Sequence, residues 1–298
     1  MPVFRRSRLR RRGCGWDRPV PVGESPGRLR ASNLVADDQN GWPDVFLWDR
    51  ETATTWCLSR NLAGLPANRS SCSENQEGVV NPTGPAMSAD GRYVAFDSWA
   101  DDLVPNDTNG RRDVFVFDRL TGTTMRASVS TEGEQTTGWW EWSGQSWEPA
   151  ISGDGRLVAF TSDAINLVED GLSDTGVFLR DLAAGETKRI SACTCSESPA
   201  QPDDESVEPA FSRDHHILAF RSLASDLVPG RKDLNFSSDI FVASARRVRR
   251  IGITTAFRMP RSKGLAGMSL IMTATAMAFR TRISGRLSWS LRTLASSM

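Results

Sequence analysis

Short apolar runs alternate with polar, glycine-bearing turns along this chain, and the order of the runs repeats. From Pro85 to Phe96 the sequence reads PAMSADGRYVAF, crosses a polar loop at residues 106–110, and reaches DVFVFD at Asp113–Asp118. The same succession returns as PAISGDGRLVAF (Pro149–Phe160) with GVFLRD (Gly176–Asp181), and as PAFSRDHHILAF (Pro209–Phe220) with DIFV (Asp239–Val242). DVFLWD at Asp44–Asp49 is the second half of a further copy whose first half is missing. Phe46, Phe115, Phe178 and Phe241 mark a period of 69, 63 and 63 residues, which identifies an internal repeat.

Each repeat predicts β-structure. Asp-Gly between apolar flanks is a hairpin signal, because glycine tolerates the positive φ of a tight turn. The runs on either side are short and rich in β-branched and aromatic residues. With the segment beginning near Pro85, YVAF at 93–96, DVFVF at 113–117 and TTMRASV at 123–129, a repeat makes one four-stranded antiparallel sheet. Such a sheet cannot bury both faces alone, so copies must stack, and radial stacking gives a propeller. The expected fold is all-β, with three to four blades over residues 31–245, an incomplete ring and disordered ends.

The S-x-D-G-R-x-x-A-F motif followed by D-[VI]-F-[VL]-x-D resembles the PD40 repeats of TolB-like β-propellers, a WD40-like group. The resemblance implies a periplasmic or secreted scaffold that binds protein partners without catalysis. The chain departs from the pattern in supplying few blades and in carrying His215-His216 where other copies have Gly-Arg.

Charge separates the ends from the middle. Residues 1–30 hold nine arginines against Asp17 and Glu24, and ten arginines with Lys263 follow residue 245, where no acidic residue occurs. The chain is formally neutral, yet residues 31–245 contain 16 basic and 34 acidic side chains. Basic tails suit polyanions, but one lysine among twenty basic residues reads instead as GC-rich DNA translated out of frame, so no nucleic-acid partner is expected. A one-base shift lets Pro21–Pro26 spell GRRVA where the missing half-repeat belongs, and it forces Asp from Met272 and Gly from Met277. Residues 1–30 and 246–298 are thus expected to be out-of-frame or disordered. No signal-peptide core is visible, and the apolar run at 265–279 is too short and broken to span a bilayer.

Three loops share D-x-N-x-x-x-D: Asp38, Asn40, Asp44; Asp107, Asn109, Asp113; and Asp233, Asn235, Asp239. Alternating oxygen ligands suit Ca²⁺, while the same residues also build Asx turns that satisfy backbone donors; no other cofactor is indicated. Cys57, Cys72, Cys193 and Cys195 flank comparable loops, which favours disulfides in an oxidising compartment over a metal site. Trp139, Trp140, Trp142 and Trp147 crowd one connection between blades. They form either a platform for sugar rings or a protein partner, or a cover folded over the next sheet. Catalysis lacks support: the two histidines fall in a hairpin turn, and neither a G-x-S-x-G elbow nor a glycine-rich phosphate loop is present. The expectation is a non-enzymatic protein-binding propeller; the alternative is a carbohydrate-binding propeller, or a fragment of a polysaccharide-active or peptidase enzyme.

Overall fold

The computed structural model describes residues 34–49, 52–72, 84–169, 175–192, 202–212, 214–228 and 237–244, together with a strand at 253–257. All regular elements among them are strands. Phe46–Asp49 (β1) and Thr54–Cys57 (β2) form a two-stranded sheet, the half-repeat. Ala86–Met87 (β3), Tyr93–Ser98 (β4), Asp113–Asp118 (β5) and Thr123–Arg126 (β6) make the first full blade. Ser146–Ile151 (β7), Leu157–Ser162 (β8), Gly176–Asp181 (β9) and Glu186–Arg189 (β10) make the second. Ser206–Phe211 (β11), Ile217–Ser222 (β12), Asp239–Ser244 (β13) and Ile253–Phe257 (β14) make the third. Every pairing is antiparallel between sequence neighbours, as in an incomplete propeller.

The last strand lies past residue 245 and pairs with β13. The ITTAF run at 253–257 has enough β-branched character to extend the ladder beside β13, although no repeat motif marks it. Residues 1–30 and the remainder of the tail lie outside the described residues.

Strand alternation explains how blades hold together. Successive side chains point to opposite faces, so Val94 and Phe96 pack against Val45, Leu47 and Leu58 of the half-blade. Ala95 points the other way, into a cluster with Phe160 and Phe178 of the next blade. The alternation recurs one blade on, where Ala159 shares a cluster with Phe220 and Phe241. A small residue on one face leaves room for the next blade's aromatic pair. Those pairs are set by register: Phe96 opposite Phe115, Phe160 opposite Phe178, Phe220 opposite Phe241, with ring centroids 6.0, 6.0 and 5.8 Å apart.

The S-x-D-G-R motif builds the hairpin before the second strand of each full blade. Ser88, Ser152 and Ser212 each donate a hydroxyl to the aspartate two residues on, and accept an N–H from Tyr93, Leu157 and Ile217 at 2.9, 2.9 and 3.0 Å. Gly91 and Gly155 take φ of 74° and 72° there, and His215 adopts 61° at the matching place. The arginine after the glycine reaches the aspartate ending the facing strand, Arg92 to Asp118 at 2.7 Å and Arg156 to Asp181 at 2.6 Å. In the last blade both partners change together. His216 stands for the arginine and Ser244 for the aspartate, so losing the Gly-Arg motif orphans no carboxylate.

Candidate functional site

The connection from β6 to β7 carries the tryptophans. Trp139, Trp140 and Trp142 are 64%, 73% and 62% exposed, so they do not fold over the neighbouring sheet. Trp147 separates from them: it lies on β7, half-buried, opposite Thr161. The three exposed indoles sit on a loop with a fixed backbone. Ser143 bridges the turn, its hydroxyl accepting the Trp140 N–H at 3.0 Å, and Gln145 Nε2 donates to the Trp142 carbonyl at 2.7 Å. Arg111, from the loop before β5, donates to the carbonyls of Trp140 and Glu141. At the base, Thr137 and Gln145 are held by Asn166 and Asp163 of the following blade at 2.8 and 2.7 Å. Gly144, at φ 83°, lies so close to Thr137 that a Cβ there would fall 2.5 Å from its carbonyl carbon. Large apolar rings are therefore displayed to solvent on a pre-organised loop.

The D-x-N-x-x-x-D loops use their polar atoms internally. Asn109 donates its amide to Asp113 at 2.9 Å and accepts the Arg111 N–H at 3.0 Å; Asn40 does the same with Asp44 and Trp42 at 2.7 and 2.9 Å. These are Asx turns, and no asparagine carbonyl is offered to a shared cation. In the first full blade the charge is met by Arg126, 2.9 Å from Asp107 and 3.6 Å from Asp113. Burial still raises Asp107 to about 6. Asn40 and Asp44, like Asn109 and Asp113, are thus engaged in turn hydrogen bonds, and Asp107 and Asp113 also face a buried guanidinium. Among the described residues no cluster of three metal-ligating groups occurs. Asp233 and Asn235 lie outside those residues, and Asp239 is buried at the start of β13.

Register also explains Cys57. It occupies on β2 the place Arg126 holds on β6, facing Asp44 in place of Asp113. Without a guanidinium there, burial raises Asp44 to about 6, held down in part by Ser59 and Asn40; burial and the nearby Asp44 push the Cys57 thiol up to about 12. Cys57 and Cys72 are buried and are not bonded to each other. Cys72 belongs to the core around Leu47 and Leu58, while the Cys57 sulfur contacts Ser59. Cys193 and Cys195 lie outside the described residues.

One functional feature escapes the motif reading. Asp97 pairs with Arg112 at 2.7 Å, both fully buried, and accepts the Glu148 N–H of the next blade. The Glu148 carboxylate accepts the Thr161 hydroxyl at 3.0 Å and the Glu208 N–H of the blade after that at 2.9 Å. Glu208 pairs with Arg221 at 3.2 Å. Glu148 and Glu208, with φ of 57° and 58°, mark bulges that turn their N–H groups onto the preceding blade. Burial raises both Asp97 and Glu148. This strip is closed to solvent at Asp97 and Glu148 and locks blades in register. Its sequence signal is the one variable position in the repeated AF-x-S, occupied by Asp97, Thr161 and Arg221. His215, expected as a turn residue, accepts the Gly153 N–H across the same pair of blades at 2.7 Å.

No protein-family model matches the sequence, and no curated protein does. Among solved structures the chain is similar to TolB from Acinetobacter baumannii, with 16% identity, 73% of this chain and 39% of that one covered, and a TM-score of 0.39. It is also similar to a putative TolB from Agrobacterium tumefaciens (14%, 74% and 59%, TM-score 0.41) and to an oligogalacturonate lyase in complex with manganese (12%, 73% and 49%, TM-score 0.41). The chain spans 39% to 59% of the lengths of these proteins. TolB and other β-propeller proteins are what this chain, an incomplete all-β propeller, is similar to.

Proposed function

We propose that this chain is a non-catalytic, extracytoplasmic binding scaffold whose contact surface for a protein partner is the loop bearing Trp139, Trp140 and Trp142. One observation carries the reading: three indoles, each more than 60% exposed, stand on a loop pinned by Arg111, Asn166, Asp163 and Ser143. Exposed clusters of large aromatic groups mark interaction sites, and tryptophan dominates the energetics of such contacts. A rigid loop also loses little conformational entropy on binding. The buried hydrogen-bond strip supports a structural use of Asp97, Glu148 and Glu208. No helix among the described residues is long and apolar enough to cross a membrane.

The test compares cross-linking capture of partners by the wild-type chain and by a Trp140→Ala/Trp142→Ala variant, with thermal unfolding as the control. A partner lost by the variant at unchanged stability supports the reading. Equal capture by both chains overturns it. The carbohydrate alternative draws on the same exposed indoles and predicts saturable quenching of their fluorescence by a neutral oligosaccharide, abolished in the variant.

A further inference from the structure

Resting on that binding reading, we infer that the tryptophan loop receives a cationic peptide segment, with Lys or Arg side chains seated on the exposed indole faces. Two observations point to this chemistry. From residue 127 to residue 155 the chain contains no Lys, Arg or His, while Glu132, Glu134 and Glu141 of the β6–β7 connection are exposed. Asp163 adds a further carboxylate at the loop's base through its bond to Gln145. Two arginines reach this connection from other elements: Arg111 donates to the carbonyls of Trp140 and Glu141, and Arg180 donates to the Ser130 carbonyl beside Glu132. Among the indoles themselves the carboxylate on offer is the exposed Glu141, which lies between Trp140 and Trp142 in the chain.

An indole face attracts a cation through its quadrupole, and adjoining carboxylates supply the counter-charge and steer the approach. The loop is already ordered by Ser143, Gln145 and Gly144 without help from a ligand. An acidic partner would be repelled by Glu141 at the indoles. The middle of the chain, with 34 acidic against 16 basic residues, reinforces the selection at longer range.

The experiment titrates the full chain with three synthetic peptides of equal length, in which Gly-Ser spacers carry Lys, Gln or Glu. Calorimetry is read alongside the fluorescence difference between wild type and the Trp140→Ala/Trp142→Ala variant. The Lys peptide is expected to bind, to weaken as salt rises from about 0.05 M to about 0.5 M, and to lose about two- to five-fold in affinity for each indole removed. Glu141→Gln should weaken it about two-fold, in keeping with an exposed charge contact. Equal binding of the Gln and Lys peptides, lost in the tryptophan variant, overturns the cationic selection and leaves the binding scaffold intact. Response to a neutral oligosaccharide alone overturns both. A loop signal that changes with salt in the absence of any peptide means that the chain's own arginine-rich ends occupy the site, and this overturns the partner assignment.

Discussion

Replacing Arg126 by Met keeps most of the side-chain volume and removes the positive charge that faces two buried carboxylates. In the native chain the guanidinium is 6% exposed, with Asp107 at 2% and Asp113 at 0%. Asp113 would retain Ser128, Asn109 and Thr136 as donors, whereas Asp107 would lose its closest charged partner. Breaking one side of a buried pair costs about 3–5 kcal/mol, and the donors left to Asp113 place the expected loss near the lower end. The sign with pH follows from direction. Burial already raises Asp107 to about 6, and removing the arginine raises both carboxyls further above their unfolded value. Stability tied to a raised carboxyl is fully present below the unfolded value and is lost as pH rises through the folded one. The deficit of Arg126→Met relative to wild type should therefore be small near about pH 5 and full only near about pH 9, because a loss of about 3 kcal/mol spans roughly two pH units above the wild-type value. Urea unfolding followed by circular dichroism at both pH values measures it. A loss under about 1 kcal/mol at the higher pH, comparable to an exposed pair, or an equal loss at both, would refute the reasoning.

Further outcomes follow from the same register. Asp44, raised to about 6 opposite Cys57, should make the wild type lose about 3 kcal/mol between about pH 4 and pH 7 relative to Asp44→Asn; identical pH slopes of unfolding would contradict it. With its thiol pushed up to about 12, Cys57 should resist alkylation in the native chain and react on unfolding, as peptide mapping after iodoacetamide treatment would show. Phe160→Ala, at a fully buried position between blades, should cost about 3–5 kcal/mol, and Ala95→Leu, which crowds that ring, about 1–3 kcal/mol; unfolding midpoints of both variants check this.

Sequence pattern alone determined the blade. Period-2 alternation assigns Val94 and Phe96 to one face and Ala95 to the other, and the S-x-D-G-R turn closes locally through Ser88 and Gly91, so both are readable within a dozen residues. The repeat spacing carried the register from blade to blade. The site was half legible: the crowding of Trp139, Trp140 and Trp142 could be seen, but their exposure could not. That depends on Arg111 and Asn166, which approach from outside the loop and hold it off the sheet. Tertiary structure likewise decided the aspartate loops. Asp107 and Asp113 meet the Arg126 guanidinium because strand pairing brings it beside them, and Cys57 takes that place one blade earlier. The same holds for Asp97, Glu148 and Glu208, separated by about fifty to sixty residues each and joined only when blades stack. Local hydrogen bonds and alternation are written into neighbouring residues; the neutralisation of a buried charge depends on which distant side chain the fold delivers.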